Sequence, residues 1–454
     1  MPKPVLTCWG GIGAVTGANF HLHVNSKQYL VDCGLLQGLP NADSVNKEKF
    51  DYDVSTIDFL FITHAHIDHV GKIPKLVKDG FKGIIYSTPE TKEIAQLMLM
   101  DTARITEENA KNTNTAPLYT VLDAQNSMGL WQTLNYHEVK DFIDFKLELF
   151  DAGHILGSAM YQFTFASGKK MMFTGDLGNS PSPLLRNTDT ISGLSYLLME
   201  SVYGDRNHEA PEERDKKFRA VVADTVARGA TLIIPIFSLE RTQVILYELN
   251  ELFNKKLVPS VPVFLDSPLA IHVTEIYERT KGLYNASVTK EIDAGDDVFK
   301  FPKLMETVHS TDSKQIANTK GAKIILAGSG MSTAGRIQNH EAIYLPDPNA
   351  TILFVGYQAP DTLGRQISEG AKSVMINGNK IDVRAHVEII DGFSAHKDSN
   401  HLVEFVSETK DTLKNVFVTM GEPKSSIFLA QRLHDELGVN AIVPERGKRY
   451  ELDL

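Results

Sequence analysis

The sequence predicts an α/β protein with two domains, and three observations support this fold class. The chain has 454 residues, more than one ordinary hydrophobic core contains. Its first 200 residues read as short strands joined by irregular loops, with few helices. From about residue 205 onward, strand patterns and helix patterns alternate, which is typical of a parallel sheet flanked by helices.

The strands of the first region show either alternation or continuous apolar runs. Residues 18–24 alternate, with Phe20, Leu22 and Val24 on one face and polar side chains on the other. A helix is predicted over residues 90–109. The other predicted strands cover residues 29–31, 59–63, 84–86, 147–150, 161–165 and 170–173.

The second region alternates regularly between the two patterns. Strands are predicted over residues 231–237, 261–266, 323–328 and 351–356, and helices over residues 239–253, 268–280 and 334–342. The polar segment 282–320 has helical pieces and is expected to form a flexible cover. After about residue 368 the chain returns to strands and then to two βα units. The predicted organisation is therefore one domain from residues 1–205 and 368–454, with residues 206–367 inserted as a second domain.

The composition is that of a soluble globular protein, with 42% hydrophobic and 23% charged residues. No stretch reaches the roughly 20 apolar residues of a membrane span, and the N-terminus lacks the pattern of a secretory signal. The two cysteines, Cys8 and Cys33, stand in apolar strand contexts, which predicts inert buried thiols and a reducing, cytoplasmic location. The net charge of −11 argues against a generally basic surface, but it allows a local basic groove for nucleic acid.

The densest functional signal is the run His64-Ala65-His66-Ile67-Asp68-His69, in which four of six side chains are metal ligands by type. Imidazole nitrogen and carboxylate oxygen suit zinc. An apolar strand precedes the run and a short helix is predicted over residues 71–79, so the ligands stand at the carboxyl end of a strand. Packing gives no reason for this density, since each polar side chain needs its own buried partner. The run therefore predicts a site for two metal ions.

Three further residues stand in similar settings and can complete such a site. His154, Asp176 and His396 each follow an apolar strand-like segment. Taken singly, each reads as an ordinary polar loop residue; taken together, they supply the missing coordination. Gly153 and Gly175 directly precede two of them and are expected to let the backbone pass close to the metals.

A glycine cluster near the N-terminus invites a different interpretation. Gly11, Gly13 and Gly17 follow a strand pattern, and Asp32 comes further along, as in a dinucleotide-binding fingerprint. That fingerprint requires a helix after the glycines, whereas residues 18–24 alternate as a strand. We therefore expect a tight turn close to the metal loop and not a nicotinamide site.

Seven separated motifs agree in order with one known family. They are Asp32, the run 64–69, His154, Asp176, Glu200 in the segment Glu200-Ser201-Val202-Tyr203-Gly204-Asp205-Arg206, His340 after Gly335-Arg336-Ile337-Gln338-Asn339, and His396 after Gly392-Phe393-Ser394-Ala395. On these motifs the sequence resembles the metallo-β-lactamase superfamily, and within it the β-CASP nuclease branch. That branch includes bacterial and archaeal RNA nucleases and the eukaryotic pre-mRNA 3′-end endonuclease. The resemblance implies an αββα sandwich with an inserted β-CASP domain, which is a parallel sheet flanked by helices.

The resemblance also implies a cofactor, two Zn²⁺ ions, although Mn²⁺ is possible in their place. By position, His64, His66 and His154 bind one ion, Asp68, His69 and His396 bind the other, and Asp176 bridges the two. Asp32 is implied to orient the metal loop by hydrogen bonding. In the family, a histidine at the position of His396 accompanies cleavage of RNA.

The chemistry that follows is hydrolysis of a phosphodiester in single-stranded RNA. Two dications about 3.5–4 Å apart can clamp the attacking and leaving sides of the phosphate. His340 is the candidate general acid, with Glu200 orienting it, and Asp68 and Asp32 complete the catalytic set. The expected products carry a 3′-hydroxyl and a 5′-phosphate.

Phosphate contacts are expected from two further segments. Ser329, Gly330, Met331 and Ser332 connect a strand to a helix, so their amides can cradle a phosphate at the helix N-terminus. The remaining candidates are arginines: Arg365 in the segment 357–365, Arg336 and Arg241. For Arg336 and Arg241, ordinary ion pairs are an equally good interpretation.

Some positions depart from the family pattern. Asp361 stands where the family usually has glycine, Met420 replaces a frequent histidine, and Val202 replaces a usual threonine. The long C-terminal extension of ribonuclease J is not expected, which favours an endonuclease over a 5′→3′ exoribonuclease.

Two further classes of protein compete with a nuclease: a small-molecule ester or thioester hydrolase, and a scaffold without catalytic activity. No membrane partner is expected, and the oligomeric state stays open between a monomer and a homodimer.

Overall fold

The computed structural model describes residues 2–39, 41–359 and 361–454. Within these ranges the chain forms two compact units. Unit 1 comprises the described residues up to Asn207 together with His396–Leu454, and unit 2 comprises His208–Ala395. Unit 2 is therefore an insertion between two parts of unit 1.

The regular elements are numbered along the chain. The strands are β1 (Val5–Cys8), β2 (Phe20–Val24), β3 (Lys27–Val31), β4 (Phe59–Phe61), β5 (Ile84–Ser87), β6 (Trp131–Thr133), β7 (Lys140–Asp141), β8 (Phe145–Asp151), β9 (Ala159–Phe165), β10 (Lys170–Phe173), β11 (Tyr196–Met199), β12 (Thr231–Pro235), β13 (Val263–Asp266), β14 (Leu304–Glu306), β15 (Lys323–Ala327), β16 (Thr351–Phe354), β17 (Ser373–Ile376), β18 (Asn379–Asp382), β19 (His386–Ile389), β20 (Asn415–Val418), β21 (Ala441–Ile442) and β22 (Arg449–Glu451). The α-helices are α1 (Ala42–Lys47), α2 (Ile67–Val70), α3 (Ile73–Lys78), α4 (Pro89–Thr113), α5 (Val121–Met128), α6 (Pro211–Ala227), α7 (Arg241–Asn254), α8 (Pro268–Arg279), α9 (Ala286–Asp293), α10 (Ser310–Gln315), α11 (Ile337–Tyr344), α12 (Leu363–Ser368), α13 (Ser399–Ser407) and α14 (Pro423–Leu437). Short 3₁₀ helices cover Val54–Thr56, Lys281–Leu283, Ile316–Asn318, Asp391–Phe393 and Lys410–Thr412.

Unit 1 is a sandwich of two mixed sheets. Among the described residues, one sheet has the strand order β22-β1-β2-β3-β4-β5-β6 and the other has the order β21-β20-β11-β10-β9-β8-β7. The strands that precede the metal-ligand segments, β4 and β10, are internal to their sheets. The carboxyl ends of central strands therefore provide the rigid frame for the site.

The packing of unit 1 follows from the alternation of apolar residues. In β8 the side chains of Phe145, Leu147 and Leu149 are buried, whereas Lys146 between them is exposed. The buried set packs against the other sheet's apolar face; the Phe145 ring lies 4.8 Å from that of Tyr29. Burial of each such side chain contributes about 1.5–3 kcal/mol. On the second sheet's outer face, α13 and α14 pack against the strands. On the first sheet α4 contacts β6, so helices accompany both sheets, in the helix–sheet–sheet–helix layering that the resemblance implied.

Unit 2 is built around a parallel sheet with the strand order β14-β13-β15-β12-β16-β19. The strands β12, β13, β15 and β16 are buried along their whole length. Such strands read as continuous apolar runs because both of their faces are covered by helices. The predicted parallel sheet flanked by helices is confirmed.

The division of the chain differs from the prediction at one boundary. The sequence placed the return to the first domain at residue 368, whereas in the structure the chain returns to unit 1 at His396. The reason is that β19 pairs in parallel with β16, which keeps residues 368–395 with the inserted sheet. The expected cover over residues 282–320 also contains β14, a strand at the edge of this sheet.

Two smaller expectations concern the cysteines and the membrane. Cys8 and Cys33 are both buried and free, and burial raises the pKa of the Cys33 thiol to about 12. These are the unreactive thiols that the sequence predicted. Among the described residues, no helix combines the length and the apolarity that a membrane span requires.

Candidate metal centre

The histidine run directly follows β4 in unit 1. His64 lies in the irregular segment between β4 and α2, and His66 is the N-cap residue of α2, a single helical turn that carries Asp68 and His69. The run was expected to be one loop, so the helical turn under its last two ligands is an addition to the prediction. The expected glycine turn is present near it: residues 10–16 form bends without a helix, and the Ala18 amide donates to the Asp68 carbonyl at 2.9 Å.

Four ligand atoms from three segments converge on one point. Nδ1 of His66 lies 3.1 Å from Nε2 of His64 and 3.2 Å from Nε2 of His154. Oδ2 of Asp176 lies 3.4 Å from the same nitrogen of His64 and 3.5 Å from that of His154. In a tetrahedral zinc site with bonds of about 2.0–2.1 Å, ligand atoms lie about 3.3 Å apart. These four atoms therefore fit a zinc-sized ion.

The protonation states of His66, His154 and Asp176 are those that metal binding requires. Burial, together with the neighbouring imidazoles His64 and His396 respectively, holds the pKa of His66 and of His154 well below the ordinary value. Both rings are therefore neutral, which is the form that binds a metal. Burial acts to raise the pKa of Asp176, but His69 and His64 outweigh it and lower that pKa well below the usual range. The carboxylate is ionised.

The other oxygen of Asp176 faces a second set of ligands. Oδ1 of Asp176 lies 3.4 Å from Nε2 of His69, and that nitrogen lies 3.8 Å from a carboxylate oxygen of Asp68. Within the described part of the chain, both Oδ1 of Asp176 and Nε2 of His69 are buried without a hydrogen-bond partner. Buried polar atoms are almost always satisfied, so two of them facing each other mark a place where a cation fits.

Asp32 stands directly behind this second set. Its Oδ2 lies 2.7 Å from Nδ1 of His69 and accepts a hydrogen bond from the Thr63 hydroxyl at 2.8 Å, while its Oδ1 accepts the Thr63 amide at 2.8 Å. Burial lowers the pKa of His69, but Asp176, Asp32 and Asp68 outweigh burial and raise it well above the ordinary value. The surroundings of His69 thus favour positive charge. The contacts of Asp32 are those of a residue that orients a metal ligand through its far nitrogen.

His396 and Glu200 form a second histidine–carboxylate pair, like that of His69 and Asp32. Nδ1 of His396 lies 3.1 Å from both carboxylate oxygens of Glu200 and 4.0 Å from Oδ2 of Asp176. Burial lowers the pKa of His396, but Glu200 outweighs it and raises the pKa to about 9. Glu200 was predicted to orient His340; the structure gives its carboxylate a contact with His396 within unit 1. The assignment of His396 to a particular ion stays a prediction.

The turn before Asp176 depends on the absence of a side chain. Gly175 has a φ of +57°, and a Cβ on it would lie 2.6 Å from Cβ of Thr63, next to His64. Gly175→Ala is expected to lower the free energy of unfolding by about 3 kcal/mol or more, since it adds a left-handed alanine and an overlap. Denaturant unfolding of the metal-free protein measures this. The matched control is Gly168→Ala, with a φ of +82° and open space around the added Cβ; equal losses for both variants would contradict the steric argument.

The unit 2 candidate His340 is held by a carboxylate that the sequence prediction missed. His340 lies on α11 and is 3% exposed, and its Nε2 is 2.7 Å from Oδ2 of Asp266. Asp266 also accepts hydrogen bonds from Arg336 at 2.7 Å, from Thr307 at 2.7 Å and from Ser313 at 2.6 Å. Burial raises the pKa of Asp266, but these hydrogen bonds outweigh it and lower the pKa to about 2. Asp266 is the last residue of β13. An acidic residue at the end of an apolar strand is the sequence pattern that could have predicted its role.

The predicted phosphate loop connects β15 to α11, as expected for a strand–loop–helix segment. Two of its amides donate hydrogen bonds within the segment. The Ser332 amide donates to the Ser329 carbonyl at 3.1 Å, and the Ser329 amide donates to the Ala334 carbonyl at 3.1 Å. Gly330 and Ser332 are buried, whereas Ser329 and Met331 are half-buried. The Ser332 hydroxyl donates to Glu341. Phosphate binding by this loop stays a prediction.

The three candidate arginines differ in their surroundings. Arg336 donates to Asp266 at 2.7 Å and to the carbonyls of Thr307 and Val308 at 2.6 and 2.7 Å, so its guanidinium has a structural role. Arg365 pairs with Glu369 at 2.6 Å on an exposed face of α12. Arg241 is half-buried at the start of α7.

Two of the three positions that depart from the family pattern, Asp361 and Met420, have physical explanations. Asp361 has a φ of +64°, a conformation that favours glycine, which fits the family's usual residue there. Met420 is 2% exposed and belongs to the apolar layer between the sheets, so it is a core residue. Within the segment 357–365, Pro360 lies outside the described residues.

The fold and the two ligand sets around Asp176 define a metal-dependent hydrolase. Three family profiles match the chain, and their order agrees with its organisation: the metallo-β-lactamase superfamily over residues 23–226, the β-CASP domain over residues 242–367, and the Zn-dependent metallo-hydrolase RNA specificity domain over residues 380–444. The chain belongs to the β-CASP branch of the metallo-β-lactamase superfamily, as its motifs predicted.

Individual relatives support this membership. Ribonuclease TTHA0252 of Thermus thermophilus is 32% identical over 88% of this chain and 89% of its own length. Transcription termination factor FttA of Methanosarcina mazei is 30% identical over 96% of this chain and 69% of its own length, and FttA of Pyrococcus horikoshii is 31% identical over 97% and 69%.

A solved structure shares the fold. It is the crystal structure of a protein of unknown function from Enterococcus faecalis V583, with a TM-score of 0.57 over 99% of this chain and 100% of that one. At 14% sequence identity, this likeness concerns the fold alone.

Proposed function

We propose that this protein is a zinc-dependent ribonuclease that cuts single-stranded RNA internally and leaves a 3′-hydroxyl and a 5′-phosphate. The observation that carries the proposal is the placement of Asp176, whose two oxygens face two different ligand sets. Such a pair of sites suits a phosphodiester, because its attacking and leaving oxygens need stabilisation together. Relatives named as a ribonuclease and as a transcription termination factor support RNA as the substrate.

The residues that would hold the ions divide between the two oxygens. His64, His66 and His154 would hold one ion, Asp68, His69 and His396 would hold the other, and Asp176 would bridge them. Bound dications supply Lewis acidity to phosphoryl oxygens and lower the pKa of water towards neutrality. Mn²⁺ is the second candidate metal, since carboxylate and imidazole ligands also accept it.

His340 is the proposed proton donor to the leaving 3′ oxygen. Asp266 holds its Nε2, and Nδ1 of the same ring is buried without a hydrogen-bond partner among the described residues. A histidine whose far nitrogen is fixed by a carboxylate carries its transferable proton on the other nitrogen. In this proposal Asp266 takes the orienting task that the sequence prediction gave to Glu200.

Product mapping on a 5′-end-labelled, unstructured RNA tests the proposal. An early ladder of internal cuts is expected, with 5′-phosphates on the downstream fragments, and Asp176→Ala is expected to abolish it. Immediate release of labelled mononucleotide would instead establish the 5′→3′ exoribonuclease. Hydrolysis of a thioester or lactone without any cleavage of RNA would overturn the nuclease assignment.

His340→Ala is expected to slow RNA cleavage by about 10²–10⁴-fold without changing the bound zinc, because a proton donor is lost and no ligand is touched. The measurements are single-turnover cleavage rates and zinc content by mass spectrometry. The matched control is His272→Ala, which removes an exposed histidine of α8. If His340→Ala cleaves RNA at the rate of the control, His340 is not the proton donor.

A further inference from the structure

The carboxylate of Glu200 joins two segments that carry predicted ligands. Glu200 directly follows β11 and is 1% exposed. Its Oε1 accepts the Leu177 amide at 2.6 Å, and both of its oxygens lie 3.1 Å from Nδ1 of His396. Leu177 is the residue after Asp176, so one buried carboxylate contacts the chain beside the bridging ligand and the ring of another ligand.

These two segments also pair with each other. The Lys397 amide donates to the Leu177 carbonyl at 2.8 Å, and Gly178 forms an antiparallel bridge with His396. His396 is the residue at which the chain returns to unit 1. Its position therefore depends on local contacts with unit 1. Its side chain lies 3.1 Å from the Glu200 carboxylate and 4.0 Å from that of Asp176.

The contact has a counterpart at His69. There Nδ1 lies 2.7 Å from Oδ2 of Asp32, and Nε2 is the buried atom, without a partner in the described part of the chain, that faces Asp176. A carboxylate that accepts the Nδ1 proton selects the tautomer whose Nε2 lone pair binds a metal, and it orients the ring. By contrast, Nδ1 of His64, in the first ligand set, lies 3.0 Å from the Thr63 hydroxyl.

We infer that Glu200 is a positioning residue for the second metal ion, which it serves by holding His396 and the Asp176 turn in register. This inference rests on the proposed two-ion function. In this role Glu200 acts through the ring of His396 and the chain beside Asp176. It determines whether the second site is occupied, because His396 belongs to that site alone. The first site is built from His64, His66, His154 and Oδ2 of Asp176.

Glu200→Gln tests the role because it keeps the size of the side chain and removes the charge. The carboxamide oxygen can still accept the Leu177 amide, but a neutral acceptor binds an imidazole N–H more weakly than a carboxylate does. The expected result is a loss of affinity for the second ion of about 10–100-fold, with the first ion unchanged. The loss is measured by titrating the metal-free protein with Zn²⁺ against a chromophoric chelator, and with Co²⁺ followed by visible absorbance.

The matched control is Glu408→Gln. Glu408 also accepts a backbone amide of unit 1, that of Ile191 at 2.9 Å, so the variant removes an equivalent charge from a carboxylate outside the ligand set. Its two zinc affinities are expected to equal those of the unchanged protein. High Zn²⁺ concentration is expected to restore RNA cleavage by Glu200→Gln, which it would not do for a folding defect.

The outcomes separate the inference from the function on which it rests. Suppose that the unchanged protein binds two ions. If Glu200→Gln then lowers the affinity for both ions equally, or for neither ion, the inference is wrong but the two-ion site stands. If the unchanged protein binds only one ion, the two-ion function fails first and the inference fails with it. If Glu200→Gln does not fold, Glu200→Asp takes its place. This shorter carboxylate is expected to lower the affinity for the second ion alone.

Discussion

Asp176→Asn is expected to lose both metal ions and at least about 10³-fold in the rate of hydrolysis. Each oxygen of Asp176 faces a separate ligand set, at 3.4 and 3.5 Å from His64 and His154 and at 3.4 Å from His69. Asparagine keeps the shape but offers one neutral oxygen in place of two charged ones. Metal ions contribute several kcal/mol to such reactions, and each 1.36 kcal/mol is a factor of ten in rate.

Zinc content by mass spectrometry and the initial rate of RNA cleavage check this expectation. Asp141→Asn is a suitable control, since it removes an exposed carboxylate of the same unit whose partner is Lys146 at 3.7 Å. A variant Asp176→Asn that retained two ions per chain and a rate within tenfold of the control would show that Asp176 does not bridge.

The sequence predicted which residues lie together, but not which of their atoms face one another. Density alone singled out the run 64–69, and the positions of His154, Asp176 and His396 after apolar strands predicted their partners; the structure brings His64, His66, His154 and Asp176 together. What the sequence does not contain is which nitrogen of each ring turns inward. His66 uses Nδ1 where His64 and His154 use Nε2, and this choice is made by the packing of the rings around one point.

The same limit applies to Glu200 and Asp266, since the structure shows Glu200 in contact with His396 and Asp266 in contact with His340. Both are acidic residues at the ends of buried strands, so local pattern treats them alike. The sequence separates Asp266 from His340 by 74 positions, and only the parallel pairing of β13 with β15 brings the start of α11 near it. A prediction from local sequence cannot choose between two such carboxylates, because strand order is a property of the whole sheet.

The prediction of the fold was limited in the same way: local patterns located the strands but not their partners. Period-two alternation and continuous apolar runs located strands in both units, because these patterns report which faces are buried. The predicted boundary at residue 368 is where the β-CASP profile ends, whereas the compact unit continues to Ala395 and includes β19. Its assignment depends on pairing with β16, which its own residues do not reveal.

Asp266→Asn is expected to lower the free energy of unfolding of unit 2 by about 3 kcal/mol or more. The carboxylate is fully buried and accepts hydrogen bonds from His340, Arg336, Thr307 and Ser313. Asparagine replaces one acceptor oxygen by a donor, which leaves part of this network unsatisfied and the guanidinium of Arg336 without its counter-ion. Removing one partner of a buried ion pair typically costs about 3–5 kcal/mol. Denaturant unfolding followed by circular dichroism measures the change.

The pH dependence of this loss provides an independent check. The pKa of Asp266 is lowered from the ordinary 3.8 to about 2, so its charged form stabilises the folded protein at every pH above the ordinary value. That contribution declines as pH falls below 3.8 and is lost as pH passes through about 2. The difference in stability between the unchanged protein and Asp266→Asn should therefore shrink as pH falls from 3.8 through about 2. Asp382→Asn, which breaks an exposed pair with Arg384, should change little at any pH; an equal loss for both variants would contradict the buried-network argument.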